Sequence, residues 1–271
     1  MKKTIVGFSL ACLLGAFASE KNEPLRFVPN ESFNAGEIIK FRAHYGFLTG
    51  GEGTMEVSDN IYTVNGRPCY KIDLKGETTG IVDYMFSVKD NWRSYMDTTA
   101  MLPQKFYMFI KEGNFRKNQG IIFDHSENKA VVEVMDKFTR ELKRREEYDI
   151  PEFAQDLISG YYFLRTLDYS TVQVGDVIRV AGFFDKDIYD FRIMFKGRET
   201  IDTELGEFPA LRFVPIMHEN DLFEGDESIE FWLSDDKRRL PLRIKAEMYV
   251  GAVALDIKEY YSKETGLWTS D

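Results

Sequence analysis

Three histidines are the first side chains to weigh as acids, bases or metal ligands: His44 in FRAHYGF, His125 in FDHSEN and His218 in MHENDLFEGDE. No two stand four residues apart, the spacing that puts a pair on one helical face to hold zinc. The sequence also lacks a G-x-S-x-G elbow, a P-loop and a dinucleotide-binding glycine fingerprint. Catalytic groups can still assemble from distant positions, so a hydrolase with a dispersed site stays open, with no catalytic residue assigned. Glu219, Asp221, Glu224, Asp226 and Glu227 gather the hard oxygens that calcium takes. Their spacing matches no calcium loop, and the stretch reads as a solvated acidic turn; no metal or cofactor is expected. Asp90, Trp92, Arg93 and Tyr95 in VKDNWRSYMD could line the mouth of a binding site, or form cross-strand pairs.

The elements that must position these residues are mostly strands. In LRIKAEMYV, Leu242, Ile244, Ala246, Met248 and Val250 alternate with Arg243, Lys245, Glu247 and Tyr249. YDFRIMF does the same, with Tyr189, Phe191, Ile193 and Phe195 on one face. Such period-two alternation marks half-buried strands. Turn residues in VNGRP, HSEN and LGEFP punctuate the runs at the intervals typical of sandwiches and barrels. In KFYMFIK, Phe106, Met108 and Ile110 take one face and Tyr107 and Phe109 the other. A strand apolar on both faces is covered on both, by a core and a helix or by a cavity. Cys69 alternates with its neighbours in CYKIDLK and reads as a small strand residue. One stretch departs from the pattern. Phe153, Leu157, Tyr161 and Leu164 in residues 149–169 fall at helical spacing, with Pro151 placed for a first turn. The run 136–149 before it is charged enough to be a solvated face.

The central helix prompts a search for duplication. DTTAMLPQKFYMFIKEG (97–113) aligns without a gap on DDKRRLPLRIKAEMYVG (235–251), pairing Asp97 with Asp235 and Leu102-Pro103 with Leu240-Pro241. GEIIKF at 36–41 matches GDVIRV at 175–180, and Gly66 answers Gly206. These landmarks give β repeats at 36–125 and 175–262, joined by a hairpin and helix connector over 126–174. An N-terminal extension (19–35) and a C-terminal tail (263–271) flank them. In this frame Asp235-Asp236 is a hairpin turn and not a site, because what both copies keep is an Asp ahead of a strand-opening Pro. The expected fold is all-β: internally duplicated antiparallel sheets, barrel-like or as two curved sheets, with one amphipathic helix.

Residues 1–18 have the order of a cleaved signal peptide: two lysines, a short apolar run and Ala16-Phe17-Ala18. Export to the periplasm follows, with lipidation at Cys12 a weaker alternative. Removing the signal deletes two lysines and no acid, moving the formal charge from −10 to −12. A chain that acidic does not take nucleic acid through bulk electrostatics. No later segment is long and apolar enough for a transmembrane helix. With Cys12 removed, Cys69 is alone, which excludes an internal disulfide.

GEIIKF followed by GTMEV, SVKDNWRSYMD, QDLISGYYFLR and SDDKRRLPLRI together resemble the domain of unknown function 3108 family, exported proteins of Gram-negative bacteria. The resemblance spans roughly residues 33–262 and rests most specifically on Asp156 and Arg165, which bracket the helix, and on the SDD-to-LP hairpin. It implies an all-β envelope protein and no reaction. The Asp turn followed by Leu-Pro is also similar, over one hairpin, to lipoprotein-carrier half-barrels. The expected role is therefore non-enzymatic binding of a lipid or other apolar envelope component, with Asp90, Trp92, Tyr95, Asp156 and Arg165 as candidate ligand contacts. A structural module for another envelope protein is the alternative partner reading.

Overall fold

The computed structural model describes residues 25–46, 48–216, 228–247 and 252–269. The signal segment, Cys12, His218, the acidic turn 219–227 and residues 248–251 lie outside them. Eight strands form the first half: β1 (Ile38–Tyr45), β2 (Leu48–Val64), β3 (Arg67–Thr78), β4 (Lys89–Asp97), β5 (Pro103–Glu112), β6 (Phe115–Asp124), β7 (Lys129–Met135) and β8 (Leu142–Asp149). A short helix, α1 (Gly80–Met85), interrupts them, and α2 (Leu157–Arg165) follows. The second half is β9 (Val177–Phe184), β10 (Asp187–Thr203), β11 (Gly206–Ile216), β12 (Ile229–Ser234), β13 (Pro241–Glu247), β14 (Ala252–Ser262) and β15 (Gly266–Thr269).

All pairings between strands are antiparallel and join into one sheet in the order β8 to β1, then β14 back to β9, with β15 on β14. The all-β, barrel-like expectation holds, as one continuous sheet and not two separate ones. The sheet is not closed: β8 and β9 are its ends. They meet through side chains instead. Lys186 in the β9–β10 turn reaches Glu146 of β8 at 2.6 Å, and Tyr148 lies 5.7 Å from Phe183 between ring centroids. The charged run before the helix is β8, an exposed strand of Lys, Arg and Glu at a sheet end, where charge blocks pairing with other chains.

Strand lengths repeat between the halves. β2 and β10 are each 17 residues long. Ile38 and Val177, Leu48 and Asp187, and Arg67 and Gly206 open successive strands and stand 139 residues apart. Gly36 and Gly175, at the same separation, have φ of 90° and 95°, a region that only glycine enters without strain. Each donates to the strand that returns past it, Gly36 N to Val57 O and Gly175 N to Phe195 O, both at 2.9 Å. The LP turns correspond less closely than the gapless alignment suggests. Asp97 N bonds Leu102 O, whereas Ser234 N, not Asp235 N, bonds Leu240 O. The second turn is one residue longer, so Asp236 and Ser234 take over the capping that Asp97 performs alone.

The helix starts later than its apolar spacing predicts. Phe153 adopts φ 57°, and Gln155 joins β9 as a parallel bridge, its N–H bonding Ala181 O and its O accepting from Phe183 N, both at 2.9 Å. Extended backbone at 155 delays the first helical turn to Leu157 and leaves Pro151 outside it. The buried face also differs: Ile158, Tyr162 and Arg165 are buried along with Leu164. The helix is therefore covered on two sides. Ile158 and Tyr162 enter a core built on Phe41, Ile72, Phe106 and Ile257, and Leu164 enters a second cluster with Val180, Ile193 and Phe213.

The tip of the β9–β10 hairpin completes the first core. Phe183 packs on Phe123 at 6.4 Å, and Phe184 on Trp92 at 5.7 Å and Phe106 at 5.9 Å. Since Phe183 is fully buried, Phe183→Ala should cost about 3–5 kcal/mol. Leu142→Ala on the exposed edge should stay within about 0.5 kcal/mol. Urea denaturation of both variants checks this; equal effects would mean that the hairpin tip does not hold the halves together.

Candidate functional site

Helix α2 is fixed at both ends by buried polar groups. Asp156 caps its start: one carboxylate oxygen accepts from Ile158 N at 2.8 Å and Ser159 N at 2.7 Å. Asp156 N donates to Ser159 Oγ at 3.0 Å, which completes a capping box. Ser94 Oγ of β4 donates to the other carboxylate oxygen at 2.6 Å. At the far end Arg165 is fully buried. Its guanidinium forks onto Glu37 at 2.6 and 2.8 Å and also donates to the carbonyls of Ser32 and Arg238. Burial works against the charge on Arg165, and the adjacent Glu37 carboxylate overrides it, so the guanidinium is held protonated.

So positioned, α2 forms one wall of a cleft against the sheet of the second half. The volume is about 840 Å³, within the roughly 300–1,000 Å³ range of small-molecule sites. Leu157, Tyr161 and Leu164 line it from the helix, with Ile193, Phe231 and Ile244 facing them from β10, β12 and β13. Ile188 stands at the rim, 60% exposed. Charge is confined to Asp156, Asp190, Arg192 and Arg243. The Tyr161 hydroxyl is buried with no hydrogen-bond partner, and burial pushes its pKa well up, so it stays a neutral donor. Gly160 also borders the cleft, and a Cβ there would come 3.3 Å from Gln155 Cβ. The described lining holds no histidine, cysteine, serine or lysine.

Of the five candidate ligand contacts, only Asp156 borders this cleft. Trp92 is half-buried in the first core against Phe184 and Phe106. Tyr95 lies on the opposite face of β4, edge-on to Tyr62 and Tyr107. Asp90 accepts from Lys111 N at 3.0 Å, and Arg165 is enclosed in its ion pair. Sequence reasoning missed the walls from β10, β12 and β13; IEFWLS, with Ile229, Phe231 and Leu233 on one face and Trp232 on the other, was the available signal. KFYMFIK, which carries the same signal, resolves otherwise: Phe106 and Met108 are core, and Tyr107 and Phe109 stack on the outer face at 6.0 Å.

The described histidines lie apart. His44 bonds Asp256 at 2.6 Å, which raises its pKa, and His125 is half-buried, donating to Pro103 O at 2.7 Å, with its pKa lowered by desolvation. Cys69 is a buried free thiol whose pKa burial, helped by Asp97, pushes up to about 12; it is not a nucleophile at neutral pH. Asp235 pairs with Arg198 and Arg239, and Asp236 with Arg238, as turn residues do. Among the described residues no three potential ligands cluster to hold a metal, and no helix is long and apolar enough to cross a membrane.

Variants at Asp156 and at the Glu37–Arg165 pair separate the roles of the helix ends. Burial raises the Asp156 pKa from 3.8 to about 6, against the hydrogen bonds from Ser94, Ser159 and Ile158 that lower it. Between these values the folded chain holds a proton that the unfolded chain releases. The Asp156 contribution is therefore most favourable below about pH 4 and declines, by up to about 3 kcal/mol, as pH rises through 6. Asp156→Asn keeps the cap and should flatten that segment of the stability curve. Asp156→Ala removes the cap and the titration together, so its cost should be largest near pH 4 and shrink as pH rises through 6. Urea titrations from pH 4 to 7 read both; an unchanged slope in Asp156→Asn would refute the assignment. Glu37→Ala strands a buried cation and should cost about 3–5 kcal/mol, much of which the apolar double replacement Glu37→Met with Arg165→Met should recover.

The comparisons with known proteins now have geometry to meet. The structure is similar to a β-barrel-like protein of the domain of unknown function 1849 from Brucella abortus, with TM-score 0.54 and 9% identity over 92% of this chain and 100% of that one. At that identity the likeness shows the fold alone. A protein of Bacteroides fragilis provisionally described as exported, with a YmcC-like fold, matches with TM-score 0.35 and 8% identity over 88% of this chain and 100% of its own. A protein of Parabacteroides distasonis provisionally described as a lipoprotein matches with TM-score 0.35 and 12% identity over the same shares. The chain matches none of the curated proteins. The model of one family spans residues 40–258, from β1 into β14, and takes in the helix, its caps and the cleft: the chain belongs to the DUF3108 family, proteins of unknown function.

Proposed function

We propose that the chain is exported through residues 1–18 and holds the apolar part of an envelope lipid, or of another apolar envelope component, in the cleft between α2 and the second half of the sheet. The cleft carries this reading: about 840 Å³ walled by aliphatic and aromatic side chains, beside a first half whose interior is filled. An acyl chain entering it exchanges water contact for apolar contact along its length, and the buried Tyr161 hydroxyl is a polar group on the helix side. With no histidine, cysteine, serine or lysine in its described lining, the cleft is suited to holding a ligand. Docking to another envelope protein is a second reading, favoured by one observation: α1 and the residue after it display Ile81, Tyr84, Met85 and Phe86, all more than half exposed. We also infer that the two halves are copies of one β unit, on the strength of the matched strand lengths and glycine turns.

Native mass spectrometry of the chain purified from its own periplasm, with lipid extraction of the same sample, tests the proposal. A copurifying acyl species near one per chain is expected. In vitro, affinity for saturated fatty acids should rise by roughly tenfold for each two added carbons, from about 0.8 kcal/mol per buried CH₂. Ile188→Glu, at the exposed rim, should weaken binding without lowering the melting temperature. An apo mass together with no chain-length dependence would turn attention to the exposed face of α1.

A further inference from the structure

The outer face of the first half carries a second, smaller cavity of about 310 Å³ whose chemistry is the reverse of the cleft's. Its walls include Lys89 from β4, Lys111 from β5, Arg116 from β6, and Lys137 and Arg140 from the β7–β8 turn. No carboxylate lines it. Elsewhere on this acidic chain the described bases are generally matched with acids: Lys40 with Glu259, Lys258 with Glu52, Lys186 with Glu146, Arg212 with Glu230. None of the five lining bases makes an ion pair among the described residues. Their contacts are weaker ones. Arg116 donates to the carbonyls of Gly113 and Phe115, Lys137 lies 5.4 Å from the Phe138 ring centroid, and Arg140 lies 4.4 Å over Phe109. The nearest carboxylates have partners of their own. Asp83 is held by Ser87 and Thr78, with Lys89 and Lys111 contributing only their field, while Asp90 accepts from Lys111 N and faces Glu112.

The site is also built in advance. Asp136 accepts from Phe138 N at 2.7 Å and Thr139 N at 2.8 Å, and its carbonyl accepts from Asn118 Nδ2 at 2.8 Å. These bonds fasten the β7–β8 turn over the outer face of β4–β6, and with it Lys137 and Arg140. A guanidinium over an aromatic ring spends no N–H group on that contact, and those groups are the ones that fork onto phosphate. We propose that this cavity binds a phosphate group of multiple charge, with Lys89, Lys111, Arg116, Lys137 and Arg140 as its ligands and Phe109 and Phe138 against the adjoining part of the molecule. The volume suits a phosphorylated sugar or a lipid headgroup. The site is independent of the apolar cleft and stands or falls separately from it.

Titration of the purified chain with inorganic pyrophosphate at low salt, by calorimetry, is the direct test. The formal charge of −10 repels anions at long range, so saturable binding must come from local contacts. The expected result is saturable binding that weakens with salt and falls about tenfold or more in Lys111→Gln with Arg140→Gln. Lys137→Gln, exposed on the turn, should show a smaller loss in the same direction and serves if the double variant unfolds. Lys258→Gln, which removes a base paired elsewhere, should bind as the parent does. Vesicles of phosphatidic acid and of phosphatidylcholine then identify the source. Pyrophosphate-competed binding to the first alone means a lipid headgroup, and no vesicle binding beside intact pyrophosphate binding means a soluble phosphate. Absence of pyrophosphate binding at millimolar concentration, or equal loss in Lys258→Gln, overturns the proposal.

Discussion

The pairing of Arg165 with Glu37 is the constraint from which the rest of the site follows. A fully buried guanidinium is tolerated only where its charge and N–H groups are all answered. Here the answer comes from two separate stretches: Glu37 and the Ser32 carbonyl ahead of β1, and the Arg238 carbonyl in the β12–β13 turn. Satisfying one side chain therefore fixes where the start of the sheet, the end of the helix and a turn of the second half stand relative to each other. Ser94 performs the matching task at the other end, tying the Asp156 cap to β4 of the first half. A helix pinned at both ends by groups that lose heavily when separated is a rigid wall. Such a wall gives the cleft beside it a set width before any ligand arrives, which reduces the ordering cost of binding.

How much of this was legible in the sequence depended on how local the physics was. Alternation along β10 and β13, turn residues and the helical spacing of Leu157, Tyr161 and Leu164 are local, and the all-β fold with one central helix followed from them. The start of the helix was not, because Gln155 is drawn into a bridge with β9 and Phe153 into a left-handed turn by partners distant in sequence. Asp156 and Arg165 stood out as the residues that bracket the helix, but periodicity says nothing about Glu37, 128 residues from Arg165. Trp92 and Tyr95 sit on one strand yet on opposite faces of it, so their closeness in sequence did not translate into a shared site. The cleft itself is a space between elements, and space has no residue signature.

The asymmetry between the proposed repeats explains why one half is filled and the other is not. The first is extended by β7 and β8, and its interior also receives Phe183 and Phe184 from the β9–β10 hairpin. The second half receives no such insertion. Its end strand β9 is met by Gln155, and its interior is faced by α2, whose Leu164 and Tyr161 touch only part of the sheet. The residue that occupies the place of Glu37 in the second copy is Asp176, at the surface and bonded to Gln173 N. The buried ion pair thus belongs to one copy alone, and with it the helix that serves both. In the proposed duplication one β unit supplied both halves, and unequal additions filled one and left the other walled but unfilled. An apolar cleft in a protein with a complete core elsewhere need not contribute to stability. That separation of duties lets the first half carry the fold while the second is free to accept a ligand.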